Sequence, residues 1–143
     1  MQETKTSRRS ITAPIAIGEL IDKICILEIK AERIADRAKL SNVHAELSIL
    51  KEIRSVAGLD TPDMTPLADE LKTINAGMWD IEDEIRELEA RQDFGDRFIA
   101  LARAVYLTND RRSRIKHNIN VKFGSEIVEE KSYAEAERPQ PKG

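Results

Sequence analysis

The sequence predicts an all-α protein, either an antiparallel bundle of about four helices or two coiled-coil-like helical hairpins. Apolar residues of the stretch 67–88 recur in alternating steps of four and three, the 3.5-residue period of a packed helical seam. Residues 19–57 contain neither glycine nor proline, so that stretch has no strong helix breaker. Only 4% of the 143 residues are aromatic and only six are glycine, which disfavours a β-sandwich or barrel.

Residues 19–57 contain two separate stretches of helical periodicity. The apolar stripe that begins at Leu20 ends at Ile34, and a second stripe begins out of phase at Leu40. The loss of phase over residues 36–39 predicts a turn between two helices. Because no strong breaker is present, one long helix is the alternative.

Glycine, proline and threonine mark the other predicted helix ends. We predict Gly18 as the cap of the first helix and Gly58 as the residue that follows the second. Thr65 is the predicted N-cap of the third helix, with Pro66 at its first position. A fourth helix is predicted over residues 96–123, because Gly124 follows it.

The predicted helices form a single domain over residues 15–134. Residues 1–14 are polar and rich in Ser, Thr and Arg, so we predict a mobile N-terminal arm. Residues 135–143 lose all periodicity and contain two prolines, so we predict a disordered tail.

The apolar content and the single cysteine bear on the compartment. The sequence contains no run of 18 apolar residues, so no membrane span is predicted. Cys25 lies between two isoleucines, which favours a buried, inert thiol over a reactive one. We therefore expect a soluble protein of a reducing compartment, the cytoplasm.

The net charge of −3 conceals an uneven distribution along the chain. Residues 58–94 carry −8, from three bases and eleven acids, and residues 95–123 carry +5, from seven bases and two acids. The favoured interpretation is that the acidic third helix pairs with the basic fourth helix. The alternative is an anion-binding patch of Arg111, Arg112, Arg114, Lys116 and His117. Nucleic acid is an unfavoured partner, because the protein is acidic overall and no aromatic residues alternate with these bases.

Polar residues interrupt the apolar seam of the fourth helix. Thr108 and Arg112 occupy seam positions, with Asn109 beside them, and counting back through the turn places Arg112 opposite Ile74 and Asn75. Such a layer either sets the register of the helices or forms a ligand pocket in which Arg112 clamps a carboxylate or phosphate. The candidate ligand-binding residues are Asn75, Trp79, Asn109, Arg111 and Arg112.

Two acidic residues of the first helix, Asp22 and Glu28, are candidate buried carboxylates. A carboxylate that burial leaves unpaired has a raised pKa and can act as an acid or base, and pairing with a neighbouring base is the alternative. Glu19 and Asp22 have a spacing that also occurs in magnesium sites, but the spacing is common, and we predict no metal site and no cofactor. The apolar residues of this helix lie on two faces, so the helix is either central or binds another chain.

Three blocks of the sequence resemble a small uncharacterised bacterial family, a domain of unknown function that sometimes occurs near or fused to glycosyltransferase-type proteins. They are residues 17–30 (IGELIDKICILEIK), 106–112 (YLTNDRR) and 128–133 (VEEKSY). The resemblance implies a helical fold, a link to cell-surface sugar metabolism and a docked tail segment ending at Tyr133. It implies no catalytic residues. It draws attention to Glu19, Asp22, Lys23, Glu28, Lys30, Asn109, Asp110, Arg111 and Arg112.

Taken together, the pattern favours a non-enzymatic, homo-oligomeric interaction or scaffolding module with a possible protein partner bound through the first helix. The alternative function is a small helical enzyme or binding protein for an anionic metabolite, such as a phosphate, nucleotide or sugar nucleotide. The two functions differ in the position of the polar layer of the fourth helix. An interaction module needs this layer between packed helices, whereas a metabolite-binding protein needs it in an accessible pocket.

Overall fold

The computed structural model describes residues 7–132, which form four α-helices and no strand. Helix α1 spans Ile17–Arg33, α2 spans Arg37–Val56, α3 spans Met64–Ala90 and α4 spans Asp96–Lys122. The predicted all-α class and the number of helices are confirmed. No helix of the described part combines the length and the apolar surface needed to span a bilayer.

The predicted terminal segments lie largely outside this range. Residues 1–6 of the predicted arm and the whole of the predicted tail, residues 135–143, are outside the described residues. Residues 7–16 are non-helical, and most of them are exposed.

Helix α1 is the centre of the molecule. It packs against each of the other three helices, whereas α2 packs against α1 alone and α3 packs against α4 and α1. The fold therefore consists of two hairpins, α1–α2 and α3–α4, that are joined through α1. Both apolar faces of α1 are used within the chain, since Ile24 and Ile29 are only 1% and 2% exposed. Of the two alternatives for this helix, the central position is the one observed, because neighbouring helices cover its second face.

The core follows the apolar periodicity of the helices. The seam predicted in α3 faces inward, with Leu71, Ile74, Met78 and Leu88 buried. Leu71 and Ile74 belong to one cluster with Leu59, which lies in the connection between α2 and α3, and with Met64, the first residue of α3. The other buried members of this cluster are Leu20, Ile21, Ile24, Cys25, Leu27, Val43, Leu47, Ile115 and Ile119.

The predicted turn between the first two helices is present, but it lies at residues 34–36, earlier than the predicted 36–39. Helix α1 ends at Arg33, and the side chain of Asp36 caps α2 by accepting a hydrogen bond of 2.9 Å from the backbone N–H of Lys39. Gly58 has φ +71° and follows α2 as predicted, because this left-handed conformation favours glycine. Residues 19–57 are therefore two helices.

Helix α3 begins earlier than predicted. Its N-cap is Asp63 and its first residue is Met64, so the assignment of Thr65 as N-cap is wrong. Met64 is fully buried and is the first residue of the helix, so the helix begins one residue before Thr65. Pro66 is still within the first turn, where its missing N–H is not needed.

The start of α1 is capped from the far end of the chain. The backbone N–H of Ile17 donates to Ser125 Oγ at 3.0 Å, and that of Gly18 donates to Asn120 Oδ1 at 2.6 Å. The N-cap residue is Ala16, so the prediction that Gly18 caps the helix is wrong. Gly18 lies inside α1, where a Cβ would overlap the carbonyl oxygen of Lys116. The glycine is required because the backbones of α1 and α4 touch at this point.

Two glycine-to-alanine substitutions are expected to change stability in opposite directions. Gly18→Ala should lower the free energy of unfolding by about 1–3 kcal/mol, because the overlap is with backbone that cannot rotate away. Gly77→Ala should raise it by about 0.5–1 kcal/mol, because nothing lies within 4 Å of a Cβ there and alanine is the better helix former. Urea unfolding followed by circular dichroism measures both, and equal effects of the two variants would contradict the close α1–α4 approach.

Candidate functional site

Three helices converge on the carboxylate of Asp22. Asp22 lies in the middle of α1 and is 0% exposed. Arg112 of α4 donates from Nε to Oδ1 at 2.9 Å and from Nη2 to Oδ2, forming a bidentate pair. Asn75 of α3 donates from Nδ2 to Oδ1 at 2.9 Å. The sequence prediction that Arg112 and Asn75 lie at one level is confirmed, and the group that joins them is Asp22.

A second basic residue of α4 extends this network by one turn. Lys116 Nζ lies 2.5 Å from Glu19 Oε2 and 3.8 Å from Asp22 Oδ2. It is also 3.8 Å from Glu129 Oε2, beyond the end of α4. Glu19 and Asp22 are three residues apart and Arg112 and Lys116 are four apart, so each pair is on one face of its helix. The two antiparallel helices thus form an acid–base ladder.

Asp22 is ionised at neutral pH in spite of its burial. Burial by itself raises the pKa of this carboxyl group, but the hydrogen bonds from Arg112 and Asn75 and the charges of Arg112 and Lys116 outweigh it. The net effect lowers the pKa of Asp22 below its ordinary value. The hydrogen bond with Asp22 in turn raises the pKa of Arg112. Of the two interpretations that the sequence left open for a buried carboxylate, Asp22 is the one paired with a base, because these donors stabilise its charged form.

Glu28, the other candidate, is not a buried carboxylate. Its side chain is 31% exposed and lies 3.8 Å from Nζ of Lys72. The same ammonium group is 2.7 Å from Glu32 Oε1, and this hydrogen bond raises the pKa of Lys72. Glu28 is thus part of a surface ion-pair group between α1 and α3, which is the alternative that the sequence left open.

The remaining sequence candidates do not join the Asp22 network. The Trp79 ring is contacted by Arg33, whose guanidinium carbon lies 5.8 Å from the ring centroid. The backbone carbonyl of Asn109 accepts a hydrogen bond of 2.9 Å from Ser113 Oγ, and Arg111 is exposed. Of the five proposed ligand-binding residues, the structure joins only Asn75 and Arg112 through described contacts, by way of Asp22.

The pairing of the acidic and basic helices is confirmed at the hairpin end and corrected further along. Arg97 of α4 binds Glu84 of α3 through two hydrogen bonds of 2.6 and 2.8 Å, which lower the pKa of Glu84. Arg112 and Lys116 bind acids of α1 instead. The reason is geometric, since α4 contacts both α1 and α3 and these two bases lie on the side facing α1.

The buried thiol behaves as predicted. Cys25 is 2% exposed, and its Sγ lies 3.4 Å from the carbonyl oxygen of Ala68, to which it donates. Burial raises the pKa of Cys25 to about 12, and the charges of Glu28 and Asp22 add to this effect. A thiol with so high a pKa is a poor nucleophile at neutral pH.

The segment after α4, residues 123–132, is docked against the helices, as the resemblance implies. Ser125 Oγ accepts from the backbone of Ile17 and donates to the carbonyl of Ile127 at 2.6 Å. Glu129 reaches Lys116 of α4. The docked segment is described as far as residue 132, and Tyr133 lies outside the described residues.

A shallow cleft of about 280 Å³ lies between α4 and this docked segment. It is lined by polar and charged side chains: Ser113, Arg114, His117, Asn118, Glu129, Glu130 and Lys131. Arg114 and His117 belong to the possible anion patch of the sequence, and the other wall belongs to the 128–133 block that the resemblance implies is docked. No sequence pattern placed these two sides against each other. The position of that wall depends on the long-range contacts of Ser125 and Glu129.

The Asp22 network is suited to fixing helix positions and unsuited to binding a ligand. Asp22 is inaccessible to solvent. The two N–H groups of Arg112 that face it, at Nε and Nη2, already donate hydrogen bonds to its carboxylate. A carboxylate or phosphate could bind Arg112 in the same way only by displacing Asp22, which would leave a buried charge unpaired.

Comparisons with known proteins place the chain in a family. The model of a family of unknown function, DUF6165, matches residues 11–142. Neither a comparison with curated proteins nor one with solved structures found a match. The family match therefore supports kinship over almost the whole chain and assigns no activity.

Removing Arg112 is expected to destabilise the fold strongly. Arg112→Met should lower the free energy of unfolding by about 3 kcal/mol, because it leaves the carboxylate of Asp22 buried without its bidentate partner. The double variant Asp22→Leu, Arg112→Met should recover much of that loss. Arg97→Met, the same change in the exposed pair with Glu84, should have little effect. If the two single arginine variants are equally stable in urea, the buried pair does not hold the helices.

The same pair predicts a pH dependence of stability. Because the folded-state pKa of Asp22 is lowered, its contribution is fully present above about pH 4 and is lost as the pH falls through the folded-state pKa. The stability difference between the wild type and Asp22→Asn should therefore be large at pH 7 and shrink towards pH 3. A difference that stays constant over this range would show that Asp22 does not titrate with a lowered pKa.

Proposed function

We propose that this chain, which belongs to the DUF6165 family of unknown function, is a homo-oligomeric interaction module that pairs with a second copy through α2. The observation that carries the proposal is an exposed apolar stripe on α2, the helix that packs against α1 alone. Ile49, Ile53 and Val56 are 61%, 49% and 78% exposed. They are spaced by four and three residues, so they lie on one outer face of the helix.

The outer face of α2 has the heptad spacing of a coiled coil. Asn42, Ile49 and Val56 are seven residues apart. The small residues Ala38, one turn before Asn42, and Ala45, between Asn42 and Ile49, lie on the same face. All five are exposed. One asparagine among β-branched residues at such positions sets register and oligomeric state in coiled coils. This pattern supports pairing with another helix of the same design.

An antiparallel pair of α2 helices matches large residues with small ones. With the two-fold axis near Leu47, Ile49 of one copy faces Ala45 of the other, and Val56 faces Ala38. The same register places Glu52 opposite Asn42, which can donate a hydrogen bond to it. Two-fold symmetry uses one surface on both copies and is the commonest arrangement of soluble homo-oligomers.

This proposal replaces α1 with α2 as the interaction surface and treats the protein as a non-enzymatic module. The Asp22 network supports it, because its charged groups are engaged with each other. We propose the cytoplasm as its compartment, supported by the buried thiol of Cys25. The bacterial origin and the association with glycosyltransferase-type proteins implied by the sequence resemblance remain expectations.

Sedimentation velocity at micromolar concentrations tests the self-association. We expect a dimer for the wild type and a monomer for Ile49→Asp, because the new carboxylate would be desolvated in the α2–α2 contact. Val121→Asp is the matched control, since Val121 is a β-branched residue of α4 that is 65% exposed. It should leave the dimer intact. A monomeric wild type would refute the proposal.

A cysteine cross-link tests the antiparallel register. Ser48 lies next to the proposed axis, so Ser48→Cys should form a disulfide-linked dimer on mild oxidation. Ser41→Cys lies one heptad away and should stay monomeric on denaturing gels, and the buried Cys25 does not compete. Cross-linking at position 41 in place of position 48 would contradict the register.

A further inference from the structure

The cleft between α4 and the docked segment is lined on the α4 side by a basic side chain, Arg114. Arg112 and Lys116 are paired with Asp22 and Glu19, and Arg97 is paired with Glu84. By contrast, Arg114 is exposed and forms no hydrogen bond or ion pair with another residue of the range 7–132. It lines the cleft directly, with Lys131 on the docked segment. The positive charge on this side of α4 is therefore available to a ligand.

Further hydrogen-bonding groups complete the α4 wall. His117 and Asn118 line the cleft next to Arg114 and offer ring and amide N–H donors. Guanidinium, imidazole and amide donors on one wall form a set that suits a phosphate group, since charge-assisted hydrogen bonds to phosphate oxygens are strong. The volume of about 280 Å³ is close to the lower end of small-ligand pockets, roughly 300 Å³.

The opposite wall carries acceptors. Glu129 and Glu130 line the same cleft, and Glu129 is directed towards Lys116, with 3.8 Å between the charged atoms. Two carboxylates disfavour a bare anion or a nucleic-acid strand, whose phosphates would approach both walls. Carboxylates are hydrogen-bond acceptors, so this wall suits the hydroxyl groups of a ligand.

We propose that this cleft binds a small phosphate monoester with a hydroxyl-bearing organic part. The phosphate contacts Arg114, and the hydroxyl groups donate to the carboxylate of Glu130. The site is separate from the outer face of α2, so it does not depend on self-association.

Isothermal titration with two probes tests the site. Glycerol phosphate carries both features, and methyl phosphate carries the phosphate without hydroxyl groups. We expect the wild type to bind glycerol phosphate more tightly, by about fivefold, and Arg114→Ala to weaken both probes by about tenfold. Glu130→Ala should abolish the difference between the probes, because it removes the acceptor for the hydroxyl groups.

Arg103→Ala is the matched control for the loss of charge. Arg103 is exposed on the same helix, eleven residues and about 16 Å before Arg114, on nearly the same face. It should change either affinity by less than about twofold. The proposal is overturned if the wild type binds neither probe at millimolar concentration, if the two arginine variants weaken binding equally, or if a short single-stranded RNA binds more tightly than glycerol phosphate. Melting temperatures close to that of the wild type confirm that the variants are folded.

Discussion

The buried carboxylate of Asp22 constrains the arrangement of α1, α3 and α4. A charge in the interior costs several kcal/mol unless its partners meet it with good geometry, and here Arg112 and Asn75 supply those partners from two other helices. Neither helix can slide along α1 by one residue without losing its bond. Lys116 and Glu19 repeat the constraint one turn away, where Gly18 lets the backbones touch.

This constraint also decides which surfaces remain free. Helix α1 is enclosed by three neighbours, and its N-terminus is capped by Asn120 and Ser125 from the end of α4 and beyond. The segment that carries Ser125 is thereby brought alongside α4, where it forms the second wall of the polar cleft. Among the described helices α2 packs against α1 alone, so its outer apolar face stays exposed. Both proposed surfaces follow from the position of α1.

The acid–base ladder illustrates the limit of residue patterns. The spacing of Glu19 and Asp22 indicated a possible metal site, and the clustering of Arg112 and Lys116 indicated a possible anion patch. An external ligand was the alternative for each pair, and the favoured partner of the basic helix was α3, whereas the two pairs bind each other across α1 and α4. Spacing along one helix reports which side chains share a face. It does not report what that face meets.

The sequence by itself determined the all-α class, the apolar seam of α3 and the buried state of Cys25, and it favoured a turn before α2 over one long helix. These features depend on periodicity and on neighbours within a few turns, so local sequence is sufficient for them. Only the tertiary structure decided the cap of α1, the ion-pair partners of α4 and the direction of the Asp22 pKa shift. Each arises from contacts between residues far apart in the chain, such as Gly18 with Asn120 and Asp22 with Arg112, about 100 positions apart. No local pattern encodes such contacts, because they exist only once the helices are packed.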